Sequence, residues 1–343
     1  MYDNILQKLQ TERRLSGSEY KYLLETDRYD EELNVAARNK AQEIFGNKVY
    51  IRGLIEFTNF CKNNCYYCGI RAGNKCALRY RLGKEEILSC CRRGYELGFK
   101  TFVLQGGEDK HFTIEILCDI VSAIRREYKD CAITVSFGEM SAIEYEKLFK
   151  AGANRYLLRH ETASPEHYAK LHPVDMSYEN RMRCLLDLKR IGFQTGCGFM
   201  VGSPYQTVDN LVADLEFIGQ FKPQMVGIGP FLPHKDTPFG HFPPGSLEMT
   251  LKLLSIIRLM EPNVLLPSTT ALATLSKDGC ERGILAGANV VMPNLSPQIA
   301  KNKYMLYNNK SSVGAQDAQA LSVLQSRLDN IGYTISYARG DYN

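Results

Sequence analysis

From residue 49 onward, short β-branched or apolar runs alternate with longer stretches whose apolar positions recur at three- and four-residue spacing. The runs are VYIRGLIEF (49–57), KTFVLQG (100–106), AITVSF (132–137), RYLLR (155–159), QTGCGFMV (194–201), QMVGIGP (224–230), NVLLPST (263–269) and ANVVMP (288–293), eight strand candidates. Between them, KEEILSCCRRGYELG, TIEILCDIVSAIRREY, SAIEYEKLFKAG, YENRMRCLLDLKRIG, VDNLVADLEFIGQF, LEMTLKLLSIIRLM and DGCERGILAG predict helices, several closing on a glycine that can take the left-handed cap. Strict strand–helix alternation requires a parallel sheet. Eight strands over about 245 residues predict an α/β fold, a complete (β/α)8 TIM-type barrel, in preference to a doubly wound sheet, which uses fewer strands.

Residues 1–48 read as an N-terminal helical extension of two or three helices covering an end or side of the barrel. The barrel itself spans 49–308, and 309–343 forms a C-terminal helix (AQDAQALSVLQSRLDNIG) and tail. No Pro/Ser linker or low-complexity tract divides the chain.

Composition narrows the class. With 44% hydrophobic and 23% charged residues the chain is neither disordered nor a disulfide mini-scaffold. Its net charge of +4 arises from 42 basic and 38 acidic residues without long single-sign runs, so neither nucleic-acid nor membrane binding is expected. No apolar stretch is long enough for a membrane helix, and residues 1–13 lack the apolar core of a signal peptide. An odd count of 11 cysteines then fits a reducing, cytoplasmic location.

Eight of those cysteines (Cys76, Cys90, Cys91, Cys118, Cys131, Cys184, Cys197 and Cys280) share no ligand spacing and read as small buried hydrophobes. Cys61, Cys65 and Cys68 differ, standing in a C-x3-C-x2-C array in the loop FTNFCKNNCYYCGIR at the C-terminal end of the first strand. That end of a barrel carries the active site. Thiolates are soft ligands for iron–sulfur clusters and zinc; a tetrahedral zinc would want a fourth ligand nearby, whereas three cysteines on a four-iron cluster leave one iron open.

The array, the aromatic Tyr67 before its third cysteine, and Gln105-Gly106-Gly107-Glu108 ending the second strand together resemble the radical S-adenosylmethionine (SAM) superfamily. The resemblance implies a [4Fe-4S] cluster on Cys61, Cys65 and Cys68, with SAM chelating the open iron and the "GGE" segment meeting its amino group. Alone, that segment would be only a strand-end turn. Full barrels occur in the branch holding biotin synthase, methylornithine synthase and the [FeFe]-hydrogenase maturase family HydE. IRGLIEFTNFCKNNCYYCGIR, FVLQGGEDK, LLRHETASPEHYAKLHP, GFMVGSPYQT, MVGIGPFLPHKDTPF, LPSTTALATL and GANVVMPNLSP look specifically like the HydE family across about 49–308.

Arg159 and Glu161 lie two apart on a strand, so both point inward, where they must pair with each other or with a charged ligand. The resemblance places Glu161 and Arg181 on SAM and Arg159 near the substrate. Met200, within Gly198–Gly202, is adenine wall or plain strand core; Ser136 is a SAM donor or an ordinary strand residue. Met225, Thr269, Thr270, Met292, Tyr304 and Tyr307 match positions around a substrate chamber. Met225 and Met292 read equally as core filler, and the threonines as a helix N-cap. His234 reads as a surface-loop histidine. The HydE resemblance further implies a small organometallic substrate, cysteine-bound Fe(CO)2CN handed over by HydG, with product passed to HydF and electrons from ferredoxin or flavodoxin. A methylornithine-synthase-like mutase and a cluster-carrying electron-transfer protein are the competing readings. The second cluster of some HydE proteins sits on C-terminal cysteines, and no cysteine follows Cys280.

Overall fold

The computed structural model describes residues 4–310 and 320–342. Its strands are β1 (Lys48–Ile51), β2 (Gly53–Thr58), β3 (Thr101–Gly106), β4 (Ala132–Ser136), β5 (Arg155–Leu157), β6 (Gln194–Cys197), β7 (Met200–Val201), β8 (Met225–Val226), β9 (Gly229–Pro230), β10 (Val290–Val291) and β11 (Thr334–Ser336). Six of them form one parallel sheet in the order β2-β3-β4-β5-β6-β8. The ring closes through single parallel bridges, Met225 to Leu265, Pro267 to Val290 and Leu54 to Asn294, and through β1 pairing with β10. The complete barrel expected from the alternation is therefore present.

Two strand candidates behave differently from their reading. The first splits at Arg52, because β1 turns to pair with β10 and β11 while β2 continues beside β3. The seventh, 263–269, pairs with its neighbours through isolated bridges at Leu265 and Pro267 rather than a continuous ladder, Pro267 having no N–H to donate.

All seven predicted inter-strand helices are present and pack apolar faces on the ring, Leu253, Ile256 and Ile257 being fully buried from Leu247–Met260. Before the barrel come three helices, Ile5–Glu12, Gly17–Glu25 and Asp30–Phe45. They lie outside the barrel's flank, Asp30–Phe45 against Leu247–Met260 and Gly17–Glu25 against Val208–Phe221. The C-terminal part is more than a helix and tail: after Leu321–Asp329, β11 adds to β1. Beyond it the chain crosses the N-terminal mouth of the barrel. There the fully buried Arg155 donates to the carbonyls of Arg339 and Gly340 and pairs with Asp341 at 2.7 Å. Residues 315–319 of the helix reading lie outside the described residues. Among the described residues no helix is long and apolar enough to cross a membrane.

Candidate active site

The loop after β2 is irregular, so its shape depends on groups that satisfy its backbone. Arg79 donates to the carbonyls of Asn59, Ile70, Arg71 and Asn74. Three other segments clamp the loop from outside: Lys62 N–H donates to Glu108 O at 2.8 Å, Tyr66 N–H to Leu171 O at 3.0 Å and Gly69 N–H to Leu306 O at 2.8 Å. A side chain at Gly107 would strike Phe60 O at 2.2 Å, so the glycine lets the β3 loop lie against the cysteine loop itself.

Cys61, Cys65 and Cys68 are free and half-buried on this frame. Burial pushes all three thiols up, Cys68 to about 12, and mutual repulsion with Cys61 and Cys68 raises Cys65 further. Their ionisation therefore calls for a cationic partner.

Beside the loop lies a layer of charge, buried at Glu161 and Arg181 and half-buried at Arg159 and Glu139. Arg159 Nη2 stands 3.2 Å from Glu161 Oε2, and Arg181 Nε 2.6 Å from Glu139 Oε1, while Arg181 also donates to Arg159 O. The distances match the charges, but the donors are misaligned: Arg159 Nε and Nη2, Arg181 Nε, Glu139 Oε1 and Glu161 Oε2 have no hydrogen-bond partner. Buried capacity of both signs suits a zwitterionic ligand. Glu161 holds φ +68, a strained left-handed conformation for glutamate, fixed by its N–H on Gly198 O and by its neighbour His160. His160 Nδ1 accepts from Gly198 N–H, leaving Nε2–H for Asp214 at 3.1 Å in a fully buried pair.

Register sets Gln105 on β3 beside Ser136 on β4, and Gln105 also reaches Tyr304 Oη at 3.4 Å. Glu108 pairs with Lys62 Nζ at 3.0 Å. Met200 and Tyr67 share an apolar cluster with Leu171, Phe231 and Phe239. Deeper in the barrel Met225 and Met292 pack together, so the structure groups them away from the cysteines. Thr269 sits at the N-cap of Thr270–Leu275 but makes no capping bond; its buried hydroxyl has no partner and faces Gly229. Tyr304 is fully buried and Tyr307 half-buried. His234 is a correction, being buried against Gly69 and Met305. Cys76 is another, being exposed, and Cys118 is only half-buried.

Sequence reasoning missed three residues here. Glu139 follows β4 in the loop that ends in Met140. Arg52 is buried inside the barrel with only Met225 Sδ at 3.3 Å and two unpartnered nitrogens; an arginine within an apolar strand was the available signal. His172 donates from Nδ1 to Tyr168 O, so its Nε2 accepts from Tyr67 Oη at 3.1 Å.

Burial drives His172 down to about 3. A histidine neutral in the fold and protonated when unfolded contributes stability above about 6.5 that is lost as pH falls toward 3. His172→Gln is expected to flatten the pH dependence of unfolding of the iron-free protein across that window. The change should approach about 1.4 kcal/mol per pH unit, read by denaturant titration at several pH values.

Comparison with known proteins places this geometry. The family model described as "Radical SAM superfamily" matches residues 55–218. The [FeFe] hydrogenase maturase subunit HydE of Thermotoga maritima is 43% identical over 304 residues, covering 89% of this chain and 86% of that one. The chain belongs to the radical SAM superfamily. A second radical SAM relative, 3-methylornithine synthase of Methanosarcina acetivorans, is 30% identical over 90% of this chain and 86% of its own. A crystal structure of methylornithine synthase superposes with TM-score 0.85 at 28% identity, covering 97% of both chains.

Radical SAM enzymes use a [4Fe-4S] cluster and S-adenosylmethionine, and the residues present fit both. Three free thiols on one clamped loop suit three irons, and the unpartnered atoms of Arg159, Arg181, Glu139 and Glu161 suit the amino and carboxylate ends of SAM.

Proposed function

We propose that this enzyme acts as a HydE-type maturase, assembling the diiron subcluster of the [FeFe]-hydrogenase active site. The observation that carries this reading is the 43% identity to the Thermotoga maritima maturase subunit across nearly the whole barrel, against 30% to the mutase. The substrate proposed is cysteine-bound Fe(CO)2CN received from HydG, with product passed to HydF in the cytoplasm; no nucleic acid or membrane takes part.

When bound, the cluster and SAM supply a 5′-deoxyadenosyl radical upon one-electron reduction. The chain's own work is positioning and exclusion of water. Cys61, Cys65 and Cys68 would hold the cluster; Gln105, Gly106, Gly107, Glu108, Ser136, Glu161 and Arg181 would orient SAM, with Tyr67 and Met200 along its apolar side. Arg159, Met225, Thr269, Thr270, Met292, Tyr304 and Tyr307 would line the chamber that confines the radical. A guanidinium at Arg159 suits a carboxylate or an anionic metal complex equally.

Anaerobic turnover with the synthetic iron dicarbonyl-cyanide-cysteine complex tests the reading. Consumption of SAM, to 5′-deoxyadenosine or its adduct, with changed CO and cyanide infrared bands is expected. An inert complex, with an amino acid rearranged and SAM recycled, would establish the mutase instead.

A further inference from the structure

Helix Val208–Phe221 buries Leu211, Leu215 and Ile218 along one stripe, and Asp214 falls on that same stripe, where an apolar residue is the rule. Its carboxylate is fully buried, which is costly unless hydrogen bonds offset the lost hydration. Those bonds go to one segment, the turn that follows β5. Asp214 Oδ1 accepts from His160 Nε2–H at 3.1 Å and from Ala163 N–H at 2.6 Å, while Oδ2 has no hydrogen-bond partner. A single oxygen thus grips the chain on both flanks of Glu161 and Thr162.

The remaining contacts of the turn close it on every side. Thr162 Oγ1 accepts from Ser164 N–H at 3.3 Å and donates to His167 Nδ1 at 3.1 Å, and the Nε2–H of that ring reaches Pro204 O at 3.1 Å. Toward the barrel, Glu161 N–H donates to Gly198 O at 3.0 Å and Gly198 N–H to His160 Nδ1 at 3.2 Å. Phe199 and Phe217 pack on the imidazole, with centroids 5.8 and 4.7 Å away. Together these contacts hold Glu161 at φ +68, a backbone angle that glutamate rarely adopts when free. The carboxylate so placed stands 3.2 Å from Arg159 and keeps an oxygen without a hydrogen-bond partner.

We propose that Asp214 is a positioning residue for SAM: through His160 and Ala163 it fixes the backbone of Glu161, and with it the place of the carboxylate that meets SAM. The proposal rests on the placement of Glu161 at SAM given above. Asp214 belongs to a helix packed outside the barrel wall and acts from there through the turn. A Glu161 free to leave φ +68 would have to be ordered anew on each encounter with SAM, and that ordering would be lost from the affinity. Held from outside, the carboxylate is in place before SAM arrives.

The test is a double-mutant cycle on full-length, cluster-loaded protein, with the SAM Kd read from the spectrum of the reduced cluster. Asp214→Ala should keep its iron while the Kd rises about tenfold or more. Asp214→Asn, which retains an oxygen for both donors, should stay within about threefold of the unmodified protein. In a Glu161→Ala background, where no carboxylate remains to be placed, Asp214→Ala should add less than about threefold. A barrel merely loosened by the substitution would lose SAM equally in both backgrounds, and that result overturns the proposal, as does an unaltered Kd in Asp214→Ala. Should Asp214→Ala not fold, His160→Phe, which keeps a ring between Phe199 and Phe217, decides by the same cycle. If Glu161→Ala alone leaves the Kd unchanged, the placement of Glu161 at SAM fails and takes the proposal with it. If Glu161→Ala weakens SAM and Asp214→Ala does not, that placement stands and only the positioning role falls.

Discussion

Replacing Cys65 with alanine is expected to give a folded protein that, after anaerobic loading with iron and sulfide, keeps almost no iron and cleaves no detectable SAM. Cys65 lies between Cys61 and Cys68 on a loop fixed from three sides, with Met176 Sδ 3.7 Å from its sulfur. A thioether is neutral and weakly basic, so Met176 cannot replace a thiolate on a cationic cluster. The loop is held by Arg79 and by backbone bonds to Glu108, Leu171 and Leu306, none of which needs the Cys65 thiol. Unfolding should therefore change little in the iron-free protein. Iron analysis and the visible absorption of the cluster check this directly; four irons retained per chain would remove Cys65 from the ligand set.

Glu161→Gln should leave the cluster in place and weaken SAM binding by about ten- to a hundredfold. That corresponds to roughly the 1.5–3 kcal/mol of a hydrogen bond to a charged group. Glutamine keeps the length and shape of the side chain and meets the same φ of +68, so backbone strain is common to both proteins. What changes is the charge opposite Arg159 at 3.2 Å and the acceptor capacity of Oε2, which has no hydrogen-bond partner. The readout is the shift that SAM causes in the spectrum of the reduced cluster, followed as SAM is added. An unchanged midpoint would take Glu161 out of the SAM site.

The barrel was legible because its periodicity is carried by many residues at once: seven helices and seven of the eight strand runs each contain several apolar positions in phase. What local pattern could not give was closure. The split at Arg52 and the thin contacts of Leu265 and Pro267 follow from which neighbours the ring offers, and β11 pairs with a strand almost three hundred residues away. The cysteine loop was legible because its spacing is local. The partners of Arg181 were not: Glu139 is one acid among many until the fold sets it 2.6 Å from that guanidinium. His234 was misread because a proline-rich loop looks solvent-exposed in sequence, yet here it folds down onto Gly69 and Met305. His172 and Arg52 illustrate the reverse. Each is an ordinary residue in an ordinary segment, and only burial makes it a neutral acceptor for Tyr67 or a guanidinium with two unpartnered nitrogens.

The most direct measurement is product analysis after oxygen-free, iron-loaded protein is given SAM and dithionite without any further substrate. Formation of 5′-deoxyadenosine together with methionine, absent in Cys65→Ala, is the predicted result. Protein that stays colourless after loading, or that carries a reduced four-iron cluster and leaves SAM intact, would contradict it.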